Sequence, residues 1–304
     1  MIAEPGTIDD LVADSAAAGN PVSARLIHDW TQAGLLDRPR RRPAGRGRGS
    51  TQALYTANQR MLLQTLLAKR SETGISGLAR VPVWMWMYWG DDYVPLRQVR
   101  RALLTWLGDG KVSLKRANQT ARAMLVQLDH PDATPAARRE LRRAATEFGH
   151  TGEVDLDRLE RAAFDVFEPH VSQIRRAVGH PDAPLTVDSL VEVTKARQVA
   201  VTLLRSGKVS DRAFYEARHV HIIAYAEYAA NQVAYAASAP QNHRDMYERV
   251  TAESALNNCC MHLITSIGLQ ALHPKRGSEL VASGSTGDLR TVPKAARDVI
   301  LKLP

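Results

Sequence analysis

The chain has 304 residues, enough for two domains. Its net charge of +8 favours an anionic partner such as DNA, RNA or an acidic membrane surface. Few aromatics beside plentiful Ala and Arg argue against an all-β fold, and no apolar run approaches the roughly 20 residues needed to span a bilayer.

The N-terminal stretch MIAEPGTIDDLVAD is acidic and lacks an apolar signal core, so a cytoplasmic, nucleoid-associated protein is expected. Thr7 followed by Asp10 matches a capped helix start, and Ile8, Leu11 and Val12 supply its apolar face. Gly19-Asn20-Pro21 breaks this helix. A second opens near Ser23, with Ile27 and Trp30 on its buried side and a turn at Gly34-Leu35-Leu36. Two short helices joined by a tight turn make a helix-turn-helix.

Arg38, Arg40, Arg41, Arg42, Arg46 and Arg48 follow within RPRRRPAGRGR, with no acid among them. Gly45, Gly47 and Gly49 alternate with arginine there and permit close approach of the backbone to a ligand. The segment reads as a phosphate-gripping wing or as a basic linker. Gln52 to Tyr55 is a candidate short strand of a wing hairpin.

Thr56 and Gln59 are expected to form a capping box for a third helix, with Met61, Leu62, Leu66 and Leu67 on its apolar face. Val81–Trp89, VPVWMWMYW, alternates over Val83–Trp89 like a strand or an extended plug, yet the Trp86–Trp89 step also fits a helix. It reads as a hydrophobic seam, or as a ligand pocket or docking surface built on Trp84, Trp86 and Trp89. A helix over Leu96–Leu107 should turn Leu96, Val99, Leu103 and Trp106 inward and Arg97, Arg100 and Arg101 outward.

From Ser113 onward helices are expected at Leu114–Leu128, Ala136–Phe148, Leu156–Val178, Val187–Arg205, Asp211–Ala237 and Gln241–Leu272. Prolines and glycines mark the breaks, and GKVS at Gly110 and again at Gly207 is a chance recurrence, not a repeat. Tyr215, Tyr225, Tyr228 and Tyr235 place the Asp211 helix centrally. Lys275 to Pro293 reads as a Gly/Ser-rich linker, and Lys294 to Leu303 as a short helix.

The order of elements and several residues resemble the MerR-type winged helix-turn-helix family over about the first 105 residues. The second helix of that family ends in a phrase matched by Trp30-Thr31-Gln32-Ala33-Gly34-Leu35-Leu36. A wing, a tyrosine and a helix follow, matched by the arginine segment, Tyr55 and the helix from Thr56. Val94-Pro95-Leu96 matches the opening of the next helix. Where the family carries arginine in the recognition helix this chain has His28, with Asp29 beside it for an aromatic. Ala53 stands for a wing arginine, which leaves phosphate contact to Arg40–Arg48.

These readings together give a mainly α chain. Residues 1–108 form a winged helix-turn-helix with a small wing hairpin, and 113–274 an all-α domain for dimerisation, effector or partner binding. Residues 275–304 are a linker and short helix. Ser23, Arg25 and His28 are the candidate groove-facing residues, Arg25 for guanine, although Ser23 fits a helix cap as well. Arg40, Arg41, Arg42, Arg46, Arg48 and Tyr55 complete the expected DNA interface. Five neutralised phosphates give a salt slope near about −4.5.

The expected function is a dimeric, sequence-specific transcriptional regulator on double-stranded DNA. The alternatives are an architectural protein of a mobile element, and a small-molecule sensor or enzyme in the helical domain. No phosphate-cradling loop, nucleophile elbow or HExxH is present, so no enzyme activity is expected. His219 and His221, at i and i+2 of a helix, point roughly 200° apart. Cys259 and Cys260 likewise diverge with His262 beyond them, so neither a metal nor another cofactor is expected. Adjacency also argues against a structural disulfide between the cysteines.

Overall fold

The computed structural model describes residues 4–41, 52–109, 112–128, 132–167, 178–180, 183–239, 247 and 252–275. They are mainly helical. The chain divides into two compact units, Met1–Gly108 with Ala252–His262, and Asp109–Thr251 with Leu263–Pro304.

Unit 1 begins with α1 (Ile8–Ala17). The Thr7 hydroxyl accepts from Asp10 N at 3.2 Å, and Thr7 N donates to the Asp10 carboxylate at 2.7 Å, so the box is closed both ways. The bond from Thr7 N, with a second donated by the Thr7 hydroxyl to the same carboxylate at 3.0 Å, lowers the Asp10 carboxyl from its ordinary value. Ser15, fully buried, accepts from Val22 N at 3.0 Å and so ties the turn after α1 to the start of α2 (Ala24–Gln32). Ile27, Trp30, Leu35 and Leu36 are at most 1% exposed and form the floor beneath α2.

Residues 52–55 do not form a strand. Gly6 pairs with Tyr55 and Arg40 with Leu54 in two isolated antiparallel bridges. Next come α3 (Ala57–Lys69), the one-turn α4 (Ile75–Leu78), α5 (Arg80–Trp89) and α6 (Leu96–Leu107). Thr56 caps α3 through Gln59 N, but the Gln59 side chain does not return the bond as a capping box requires. It is buried and spent elsewhere. Met61 is also displaced from the expected apolar face, being 43% exposed; Leu63 takes its place in the core.

The alternation in Val83–Trp89 does not make a strand or a plug: the segment is helical. Val83, Trp86 and Met87 fall at i, i+3 and i+4 and are fully buried, which is the helical period winning over the period of two. Gly90 ends the helix at φ +78°. Asp91 then serves both neighbours, accepting from Trp86 Nε1 at 3.4 Å and from Leu96 N at 3.0 Å. Within α6, Leu96, Val99 and Leu103 are buried as the pattern requires, whereas Trp106 is only half-buried.

Unit 2 contains α7 (Leu114–Leu128), α8 (Pro135–Thr151), α9 (Leu156–Phe167), α10 (Val187–Arg205) and α11 (Asp211–Ser238). A short antiparallel pair, β1 (Val178–His180) with β2 (Ala183–Leu185), precedes α10. The helix expected over Leu156–Val178 is therefore shorter: α9 is described to Phe167, and Val178 already lies in β1. Leu141, Leu159, Ala163, Val166, Phe167 and Val187 build the core between α8, α9 and α10. α12 (Ala252–Leu272) completes the described helices. Gly268 lies so close to α10 that an added Cβ would meet Ala196 O at 1.8 Å, so only glycine permits this approach. Residues 276–304, including the expected linker and terminal helix, fall outside the described residues, as do 240–246 and 248–251.

Candidate nucleic-acid interface

α2 presents one continuous solvent face. Arg25, His28, Asp29 and Gln32, at i, i+3, i+4 and i+7, are all exposed, opposite buried Ile27, Trp30 and Thr31. Ser23 is exposed but committed, its hydroxyl accepting from Leu26 N at 3.3 Å as the N-cap. A shallow cleft of about 320 Å3 lies against the helix start, lined by Ser23, Arg25, Asp29 and, from the end of α3, Arg70. Arg70 is exposed, so the fold sets a second cation beside Arg25. Nothing within a few residues of Arg70 signals this, because the two arginines are brought together only by the folding of unit 1, in which α1 packs on both α2 and α3.

What holds α2 in place is a buried polar network behind its C-terminal turn. Gln59 Oε1 accepts from Asp37 N at 2.7 Å. Gln59 Nε2 donates to Tyr93 O at 3.1 Å and to Gln98 Oε1 at 2.9 Å, and Gln98 Nε2 donates to Leu35 O at 2.9 Å. Both amides are essentially buried with partners on both ends, so the network is rigid rather than costly. Thr105 adds a bond to Ala33 O at 2.7 Å. Gly34, at φ +78°, turns the chain directly against α6; a Cβ there would meet Ala102 N and Arg101 Cβ, each at 2.6 Å. The Gly-Leu-Leu phrase thus has a physical basis: the glycine permits backbone contact and the leucines fill the floor.

Several arginines belong to this scaffold. Arg60 clamps Asp14 with two bonds of 2.7 and 2.8 Å and reaches Glu4 O, tying α3 to α1. Its hydrogen bond to Asp14 raises the guanidinium above its ordinary range. Asp37, only 5% exposed at its side chain, is bonded by Arg97 and by Arg101. Arg101, expected to face outward, is instead turned onto Asp37, with its side chain 23% exposed. Burial lowers its pKa, and the Asp37 charge opposes that shift.

Arg40 and Arg41 are exposed and carry no ion pair among the described residues. Arg40 N donates to Leu54 O at 2.8 Å and Leu54 N to Arg40 O at 2.9 Å, so the two ends of the arginine segment are pinned side by side. Arg42, Arg46 and Arg48 lie outside the described residues. Tyr55 must be withdrawn as a DNA contact: it is 4% exposed, its hydroxyl lies 3.2 Å from Thr31 Oγ1, and burial raises its pKa. Its ring packs under α2 instead of facing a ligand.

The three tryptophans do not share an open site. Trp86 is fully buried, which removes it as a ligand contact. Trp84 and Trp89 are half-buried and meet edge to face at 5.1 Å, with Tyr88 against both. Tyr88 in turn accepts from Cys259 Sγ at 3.8 Å, and burial pushes the Cys259 thiol up to about 12. Cys260 is raised by burial as well. Both are buried thiols outside any disulfide. Among the described residues no three of His, Cys, Asp and Glu gather into a metal-binding group, and no helix is long and apolar enough to cross a membrane. Comparison with protein-family models, curated proteins and solved structures finds no match to this chain.

Proposed function

We propose that the chain is a sequence-specific DNA-binding transcriptional regulator. In this reading α2 enters the major groove and the arginine segment lies on phosphates or in the neighbouring minor groove. One observation carries it, the chemistry of the exposed α2 face. Arg25 suits guanine O6 and N7, Gln32 suits adenine N6 and N7, and Asp29 suits the amino group of cytosine. A surface that merely coated phosphate gains nothing from Asp29, whose charge opposes it. The mixture of donors and acceptors therefore favours base reading over the architectural alternative.

Further support comes from the paired neck at Arg40 and Leu54, the geometry a wing needs at its base, and from the likeness to the MerR-type family. A dimer follows from economy. One such module contacts only a half-site, and a two-fold pair on a palindrome supplies the missing affinity.

The test is selection of bound fragments from random and genomic duplex DNA at near-physiological salt, read by sequencing. Inverted half-sites are expected; direct repeats with strong bending transfer the reading to an architectural protein. On the selected site, Arg25→Ala should cost about 1–3 kcal/mol more than on random DNA. Arg40→Ala with Arg41→Ala should weaken both DNAs alike. Equal loss from Arg25→Ala on both DNAs removes α2 from base reading, and absence of duplex binding ends the proposal.

A further inference from the structure

Unit 2 carries a basic surface that the proposed function leaves unused. α8 reads RRELRR from Arg138 to Arg143. Its two glutamates are already occupied by a single α9 residue. Arg158 Nε donates to Glu140 at 2.7 Å and Arg158 Nη1 to Glu147 at 2.6 Å. Arg139, Arg142 and Arg143 then have no acid partner among the described residues. Spaced i, i+3 and i+4, they share one face, about a quarter-turn round the helix from the two glutamates. Arg139 and Arg143 are exposed and Arg142 half-buried.

The neighbouring helix strengthens the field. α7 lies antiparallel to α8, with Val112 N bonded to Gly149 O at 3.1 Å and Gly149 set against Ala117. It contains no acid over its whole length and adds exposed Lys115, Arg116 and Arg122. Like charges at i and i+4 destabilise a helix on its own. A partner that neutralises them reverses the sign of that effect.

The chemistry of the face selects the partner. Insertion into a membrane needs a free apolar face, and that of α8 is spent: Leu141 lies in the unit core and Ala144 is buried. Single-stranded nucleic acid is gripped by stacking aromatics, and the Arg139–Arg143 stretch has none. Closely spaced guanidinium groups on a rigid helix match a regular row of phosphates.

We infer that the Arg139, Arg142 and Arg143 face of α8, flanked by α7, is a second contact surface for the phosphate backbone of duplex DNA, without base preference. It rests on the proposed function only in that the polyanion is duplex DNA.

The experiment is titration of the full chain against random and selected duplex DNA by anisotropy, between about 50 and 200 mM salt. Four chains are compared: wild type; Arg139→Gln with Arg142→Gln and Arg143→Gln; the same three positions changed to lysine; and Arg25→Ala with Arg40→Ala and Arg41→Ala. Loss of three phosphate contacts should flatten the slope of log K against log salt by about 2.7, so the gap to wild type narrows about 40-fold across that range, equally on both DNAs. The corresponding triple lysine variant, which keeps the charge, should retain the wild-type slope. An unchanged slope in the glutamine variant overturns the inference, and so does a lysine variant as weak as the glutamine one. Should the glutamine variant lose binding while the unit 1 variant keeps it, the inference holds and the proposed function fails. The reverse pattern does the opposite. Absence of any duplex binding by wild type overturns both. Loss confined to duplex RNA or to phosphatidylserine vesicles overturns the assignment to DNA.

Discussion

Replacing Gly34 by alanine isolates the close contact that seats α2. Two effects operate at this position. The backbone is at φ +78°, where an L-residue with a Cβ costs about 1–2 kcal/mol. The new methyl would also sit 2.6 Å from Ala102 N and 2.9 Å from Arg101 C, both backbone atoms of α6. Those atoms cannot swing aside as a side chain would, so overpacking adds about 1–3 kcal/mol. Gly19 supplies the control: its φ is +74° but nothing lies within 4 Å of a Cβ added there, so Gly19→Ala carries only the backbone cost. Urea unfolding followed by tryptophan fluorescence reports on unit 1 alone, because all five tryptophans, Trp30, Trp84, Trp86, Trp89 and Trp106, belong to it. Gly34→Ala should destabilise by about 1–3 kcal/mol more than Gly19→Ala. Equal destabilisation, within about 0.5 kcal/mol, would refute the requirement for glycine at this contact with α6.

Gln59→Leu strands Asp37 N, Tyr93 O and the Gln98 amide together, and each buried unsatisfied group costs about 1–3 kcal/mol, so the same fluorescence assay should register at least about 2 kcal/mol. A neutral result would mean that water or relaxation replaces those bonds. Tyr55→Phe should lose only about 0.5–1.5 kcal/mol from the Thr31 contact and leave DNA affinity unchanged; a specific loss of affinity would restore Tyr55 to the interface. Asp10, whose pKa is lowered in the fold by its bonds to Thr7, contributes stability that is fully present above its unfolded value near 3.8 and is lost as pH falls through the lower folded value. The unfolding midpoints of wild type and Asp10→Asn should therefore differ at pH 7 and converge only as pH falls well below 3.8; a gap independent of pH would show that charge on Asp10 is irrelevant.

Local signals were legible in the sequence because their causes span three or four residues. Thr7 with Asp10 and Ser23 before α2 are hydrogen-bond geometries that the spacing alone dictates, and both form. Ile27, Trp30, Leu35 and Leu36 follow from apolar periodicity. Periodicity left the choice open where every residue was apolar: in VPVWMWMYW neither face is polar, so the sequence offers no contrast to choose between periods of two and 3.6, and the packing of Trp86 and Met87 makes the choice.

The sequence by itself determined the mainly helical character, the caps, the local floor of α2 and the basic balance that suggests a polyanion. The tertiary structure decided which polar groups are spent and which are available. Gln59 leaves its expected cap for Asp37, Tyr93 and Gln98, residues 22 to 39 positions away. Arg60 and Arg101 become scaffold, Arg70 joins Arg25, and the glutamates of α8 are consumed by Arg158. The reason is physical: a charge in sequence has no direction, and only the packing of distant helices sets whether it meets an acid inside the fold or a ligand outside it.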